Sequence, residues 1–207
     1  MNKKFCHLLV GFSITDYFKN LITSVLELDD NSDVIIITTG NPRLFGWGGK
    51  FDYEFNESNK IKSFVNKVKN KYNRNNIYFY ELKCNSVKDK KVGYLYDAYN
   101  LALKTALEKQ CDYLNIIQND CQLPLWSENI KEMLDEIFTI EKKVFFISSG
   151  FLRKAVNYNF KKNFSSKEIL FDSLNFKKKV YSNQKSALGD WGIFDLNKIK
   201  KINFKFI

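Results

Sequence analysis

Between residues 5 and 118, short apolar runs alternate with helical patterns, and this alternation limits the fold more than any other feature. FCHLLVGF (5–12) is continuously apolar, as a strand covered on both faces requires. SDVIIITT (32–39) is rich in β-branched residues and closes on Gly40-Asn41-Pro42. NNIYFYEL (75–82) and DYLNIIQ (112–118) supply two more strands. Between them, Phe18, Leu21, Ile22, Val25 and Leu28 recur at helical spacing behind an N-cap at Thr15 or Asp16. A basic amphipathic helix carries Ile61, Phe64, Val65 and Val68. A third has Leu95, Ala98, Ala102 and Ala106 on one stripe, with Leu103 and Leu107 beside it.

Such an order predicts an α/β domain with a mostly parallel central sheet and helices on both faces. Ligands of these sheets bind beyond the carboxyl ends of the strands. That rule puts the GFS (11–13), TTGN (38–41) and QND (118–120) segments on one edge, facing a common crevice. Asp120 ends the fourth strand, either as a turn residue or as a carboxylate placed to hold a metal. The glycine- and aromatic-rich stretch RLFGWGGKFDYEF (43–55) has no clear period. Its Trp47 is either a loop aromatic covering a ligand or a packing anchor.

A chain of 207 residues accommodates one such domain with a full core. No apolar run approaches the roughly 20 residues that span a bilayer. The opening MNKKFCHLLVGF imitates a secretory leader, but His7 interrupts it and no small-residue cleavage site follows, so a first strand is expected. The four cysteines form no CxxC pair and are expected to be reduced and mostly buried, as in a cytoplasmic protein; a single histidine excludes His-rich metal sites. The formal charge of +10 has two readings. One is codon bias toward lysine over a solvated surface; the other is attraction to phosphate-bearing ligands or an anionic membrane face.

Residues 1–125 resemble the nucleotide-sugar-binding half of family-2-like glycosyltransferases with the GT-A fold. Those proteins read P-x-Y-N, then a helix ending S-hydrophobic-hydrophobic, then D-D-G-S, a glycine before A-x-N, and an aspartate-rich strand end. Here Val10-Gly11-Phe12-Ser13 occupies the first motif and Ser24-Val25-Leu26 the helix end. Thr38-Thr39-Gly40-Asn41 stands at D-D-G-S. Gly93 precedes Ala98-Tyr99-Asn100, and Asp112-Tyr113-Leu114 leads to Gln118-Asn119-Asp120. Three departures stand out: Gln118 replaces the first metal carboxylate, Thr38 and Thr39 replace base- or ribose-binding aspartates, and the Gly93–Asn100 spacing is one residue longer.

The resemblance implies a GT-A-like (Rossmann-like) single domain over 1–207, with a nucleotide-sugar-binding half (1–123) and an acceptor-side half (124–207). It implies transfer from a nucleotide-diphosphate sugar to a glycan or lipid-linked acceptor in bacterial surface-polysaccharide synthesis, inverting and metal-assisted. Asp120 would be the main ligand of Mg²⁺ or Mn²⁺, with Asn119 and Gln118 adding neutral oxygens. Phe12 would lie against the base, and Thr38, Thr39, Gly93 and Asn100 would line the donor site. Lys90 and Lys91 would neutralise phosphate. Asp190, in Gly189-Asp190-Trp191, is the best match for the base that deprotonates the acceptor, with Asp172 and Asp195 as competitors. The expected location is cytoplasmic, on the inner face of the cell membrane where the surface meets anionic lipid. A nucleic-acid partner is not expected, since no recognition helix or aromatic RNA-binding signature is present.

A non-catalytic nucleotide-sugar- or glycan-binding module is the alternative that Gln118 favours. A sugar nucleotidyltransferase is a further one, though the early glycine-rich loop with arginine is missing. Beyond residue 124 the pattern weakens. A helix capped by Ser127, a strand in KKVFFI (142–147), an irregular basic stretch over 163–182, and a strand followed by a short helix over 187–206 are expected.

Overall fold

The computed structural model describes residues 3–11, 13–38, 57–82, 93–118, 128–140, 142, 144–147, 165–171, 176–182, 191–202, 204 and 206. The elements run β1 (Phe5–Gly11), α1 (Asp16–Leu28), β2 (Asp33–Thr38), α2 (Glu57–Lys71), β3 (Ile77–Glu81), α3 (Gly93–Glu108) and β4 (Tyr113–Gln118). They continue with α4 (Glu128–Ile140), β5 (Phe146–Ile147), β6 (Ser165–Phe171), β7 (Phe176–Ser182), β8 (Trp191–Asp195) and α5 (Leu196–Ile202).

Six strands form one sheet in the order β3-β2-β1-β4-β8-β5. The four strands expected from the sequence are mutually parallel. β8 enters antiparallel between β4 and β5, so the sheet is mixed rather than wholly parallel. The stretch expected to be irregular contains a second, two-stranded antiparallel sheet, β6 with β7, in register from Ser165↔Ser182 to Phe171↔Phe176. The run Lys177-Lys178-Lys179 breaks any apolar alternation there, and so hid the strand.

Each central strand feeds two cores, because successive side chains point to opposite faces. Phe5, Leu9, Val34, Ile36, Tyr113 and Ile117 pack with α1, α2 and α4. Cys6, Leu8, Val10, Ile35, Ile37, Leu114 and Ile116 pack with α3, α5 and Phe206. Helices therefore cover both faces, as the alternation requires. The stripe Ala98, Ala102 and Ala106 is fully buried, and its small side chains let α3 approach the sheet closely. Thr15 is the cap of α1, its hydroxyl accepting from Phe18 N at 3.2 Å.

One polar chain lies inside the first core. His7 Nε2 is 2.9 Å from Asp29 Oδ2, and both side chains are fully buried. Ser32 Oγ donates to the same carboxylate at 2.5 Å, and Lys131 of α4 donates at 3.1 Å. Burial alone would raise the Asp29 carboxyl, but these donors outweigh it and hold the group well below the usual carboxylate range. On the other side of the ring, Asn115 Nδ2 is 3.0 Å from His7 Nδ1. Arg74, also buried, donates to the Leu26, Asp29 and Ser32 carbonyls, so it closes the C-terminus of α1. Cys6 and Cys111 are free, buried thiols; Cys84 and Cys121 lie outside the described residues.

Candidate functional site

The parallel register fixes one edge of the sheet as the place where chain ends gather. Gly11 pairs with Thr38, Val10 with Gln118, and Thr38 with Glu81, so the carboxyl ends of β1, β2, β3 and β4 align. β8 runs the other way, and Trp191 pairs with Ile117, so β8 starts at that same edge. The helices that follow β1, β2 and β3 begin there too, at Asp16, Glu57 and Gly93. The unpaired N–H groups of a helix start favour an anion, and three starts share this edge.

The first turn of α2 fastens two of these strand ends. Glu57 Oε2 accepts from Ile14 N at 2.8 Å, just past the end of β1. That hydrogen bond, and then the bond from Lys60, lowers the Glu57 carboxyl below its ordinary value. Ser58 Oγ is 2.9 Å from Thr38 Oγ1 at the end of β2, and both residues are buried. Beneath the loop, Gly11 lies against the Phe18 ring, and a Cβ there would come within 2.4 Å of it. Glycine is thus required by the close approach of α1 to β1.

Ser13, between β1 and α1, is 5 % exposed, and its hydroxyl has no hydrogen-bond partner among the described residues. A buried polar atom without a partner costs roughly 1–3 kcal/mol.

Of the expected site residues, Thr38 is at this edge with its hydroxyl engaged by Ser58. Gly93 begins α3. Asn100 lies two turns into α3, and its amide holds the backbone of Phe206: Nδ2 donates to Phe206 O and Oδ1 accepts from Phe206 N, each at 2.9 Å. In this structure Thr38 and Asn100 act as internal fasteners. Gln118 is the last residue of β4. Phe12, Thr39, Lys90, Lys91, Asn119, Asp120 and Asp190 lie outside the described residues, as do Trp47, Asp172 and Ser127. The competitor Asp195 caps α5, accepting from Lys198 N at 3.1 Å.

Sequence reasoning missed the roles of Ser13, Glu57 and Ser58. Ser13 appeared only as part of a motif. Glu57-Ser58 is a plausible helix start in any sequence, and nothing local shows that it reaches back to β1 and β2.

Among the described residues no group of three or more His, Cys, Asp or Glu is placed to hold a metal ion. The donor set offered by the sequence, one carboxylate and two amides, suits a hard cation that keeps water and diphosphate oxygens in its remaining positions. No helix among the described residues is long and apolar enough to cross a membrane.

The chain was compared with models of known protein families and with curated protein sequences. It matches none of them.

Proposed function

We propose that the protein is a nucleotide-sugar-dependent glycosyltransferase of GT-A type, transferring a sugar to a glycan or lipid-linked acceptor in surface-polysaccharide synthesis. The observation that carries this reading is the shared edge: four strand ends, three helix starts and the Ser13 hydroxyl, unpartnered among the described residues, meet there. The start of α3, with no carboxylate in its first turn and with Lys90 and Lys91 preceding it in sequence, suits a diphosphate. Asp120 comes two residues after Gln118, the last residue of β4, on the side where a leaving diphosphate would need its counter-charge. A divalent cation held there by Asp120, Asn119 and Gln118 would supply that charge without proton transfer. Asp190 precedes Trp191, the start of β8, and so adjoins the same edge in the chain. As general base it takes the proton of the acceptor hydroxyl during in-line displacement.

Calorimetry with uridine, cytidine and guanosine mono- and diphosphates, with and without Mn²⁺, tests the reading. The diphosphate of one base binds more tightly than its monophosphate, and Asp120→Asn removes the Mn²⁺-dependent part while the fold persists. Asp190→Asn leaves donor binding near that of the parent and abolishes transfer. Equal affinity for mono- and diphosphate would refute a diphosphate site.

Gln118, where the family carries a carboxylate, favours a second reading, a binding module without transfer. Tight nucleotide-sugar binding that is indifferent to Mn²⁺, without turnover, identifies that case.

A further inference from the structure

The outer face of α2 is rich in lysine. Ser58, Ile61, Val65 and Val68 turn inward. The outward positions carry Lys60, Lys62, Lys67 and Lys71, with Lys69 half-exposed. The only acidic residue of the helix is Glu57, held by Ile14 N and Lys60. Lys60 and Lys19 each meet a carboxylate at 2.9 Å, Glu57 and Asp16 respectively. No other carboxylate on α2 offsets Lys62, Lys67 and Lys69, while Lys71 Nζ donates at 3.1 Å to the Tyr72 hydroxyl, itself hydrogen-bonded to Glu27 of α1.

Between this helix and the start of α1 lies an open groove of about 540 Å³. Its floor is apolar, from Ile14 and Phe64, and its walls carry Lys19, Lys60, Lys67 and Ser63. Ile14 directly follows Ser13, so the groove opens beside the candidate site.

We propose that this face docks on an anionic phospholipid bilayer, with one headgroup phosphate entering the groove beside Lys67, the lining lysine that has no ion pair among the described residues. Ile14 and Phe64 take the apolar glycerol and upper acyl carbons, and the outer lysines of α2 lie along the negative surface. Docking would hold the ligand edge of the sheet beside the membrane.

The chemistry favours lipid over nucleic acid. Every cation of the face is lysine, a point charge on a flexible stem, and none is arginine, whose planar fork pairs with a phosphate in two-point fashion. Phe64 is the one aromatic among the described residues that line the groove, so they offer no series of rings on which successive bases stack.

The full chain is sedimented with vesicles of phosphatidylcholine alone and with vesicles carrying phosphatidylglycerol, with no nucleotide or acceptor present, so the result is independent of the transferase reading. Binding to the anionic vesicles, weakened by salt, and none to the neutral ones is expected. Each surface lysine contributes about fivefold. The triple variant Lys62→Gln, Lys67→Gln, Lys71→Gln therefore binds about a hundredfold more weakly. A matched triple elsewhere, Lys104→Gln, Lys200→Gln, Lys201→Gln, removes the same net charge from exposed positions of α3 and α5 and changes binding less than tenfold. These exposed substitutions leave the melting temperature near that of the parent. Equal losses in the two triples, no binding to anionic vesicles, or tighter binding to a single-stranded RNA oligonucleotide would each overturn the proposal.

Discussion

Asp29→Asn removes one charge from the centre of the buried polar chain while keeping its shape. The parent carboxylate accepts from His7, Ser32 and Lys131 at 2.9, 2.5 and 3.1 Å, and its side chain is fully buried. An amide has one acceptor oxygen, so its NH₂ must face at least one of these donors. Loss of a charged hydrogen bond costs about 1.5–3 kcal/mol, and breaking a buried ion pair about 3–5. Lys131 keeps 13 % side-chain exposure and can turn partly to water, which places the expected loss near the lower end, about 3 kcal/mol. With a urea slope of about 2 kcal/mol per M, the unfolding midpoint falls by about 1.5 M. The exposed neighbour provides the control: Asp30→Asn stays within about 0.5 kcal/mol of the parent.

The pH dependence has a definite sign. Asp29 is held below its ordinary value in the fold, so it binds fewer protons folded than unfolded. Its contribution is complete above the unfolded carboxylate range, about 3.9, and is lost as the pH falls through the lower folded value. The gap between parent and Asp29→Asn is therefore widest above about pH 5 and narrows below about pH 4. Urea titrations at pH 3, 4, 5 and 7 measure it. A midpoint within about 0.3 M of the parent at pH 7, or a gap that persists unchanged at pH 3, would refute the assignment of Asp29 as the charged centre.

Gly11→Ala places a methyl group 2.4 Å from a Phe18 ring atom inside a filled core. It should cost about 1–3 kcal/mol by overpacking and lower the urea midpoint by about 0.5–1.5 M; an unchanged midpoint would show that the Phe18 ring yields freely. Asn100→Asp keeps the acceptor for Phe206 N but replaces the donor that serves Phe206 O with a second oxygen. A stability loss of about 2 kcal/mol is expected, read as a fall of about 1 M in the urea midpoint; a midpoint within about 0.3 M of the parent would show that the amide does not hold Phe206.

The sequence alone determined the layers. The spacing of Phe18, Leu21, Ile22 and Val25 dictates a buried helix face, and the runs around Leu8, Ile36 and Ile116 dictate strands covered on both sides. From these, four parallel strands with helices above and below follow with little freedom, and so does the edge at which their carboxyl ends meet. Tertiary structure decided what no local period encodes. The antiparallel insertion of β8 between β4 and β5 joins residues far apart in sequence, and a five-residue strand carries no mark of its partner. The contacts His7–Asp29–Lys131, Glu57–Ile14 and Asn100–Phe206 are equally invisible beforehand. A polar side chain reads as surface wherever it stands, and only the assembled core shows which ones have left the water and what they must bond to there. Ser13 is the clearest case. Its sequence neighbours make it an ordinary loop serine, while the fold buries its hydroxyl with no partner among the described residues.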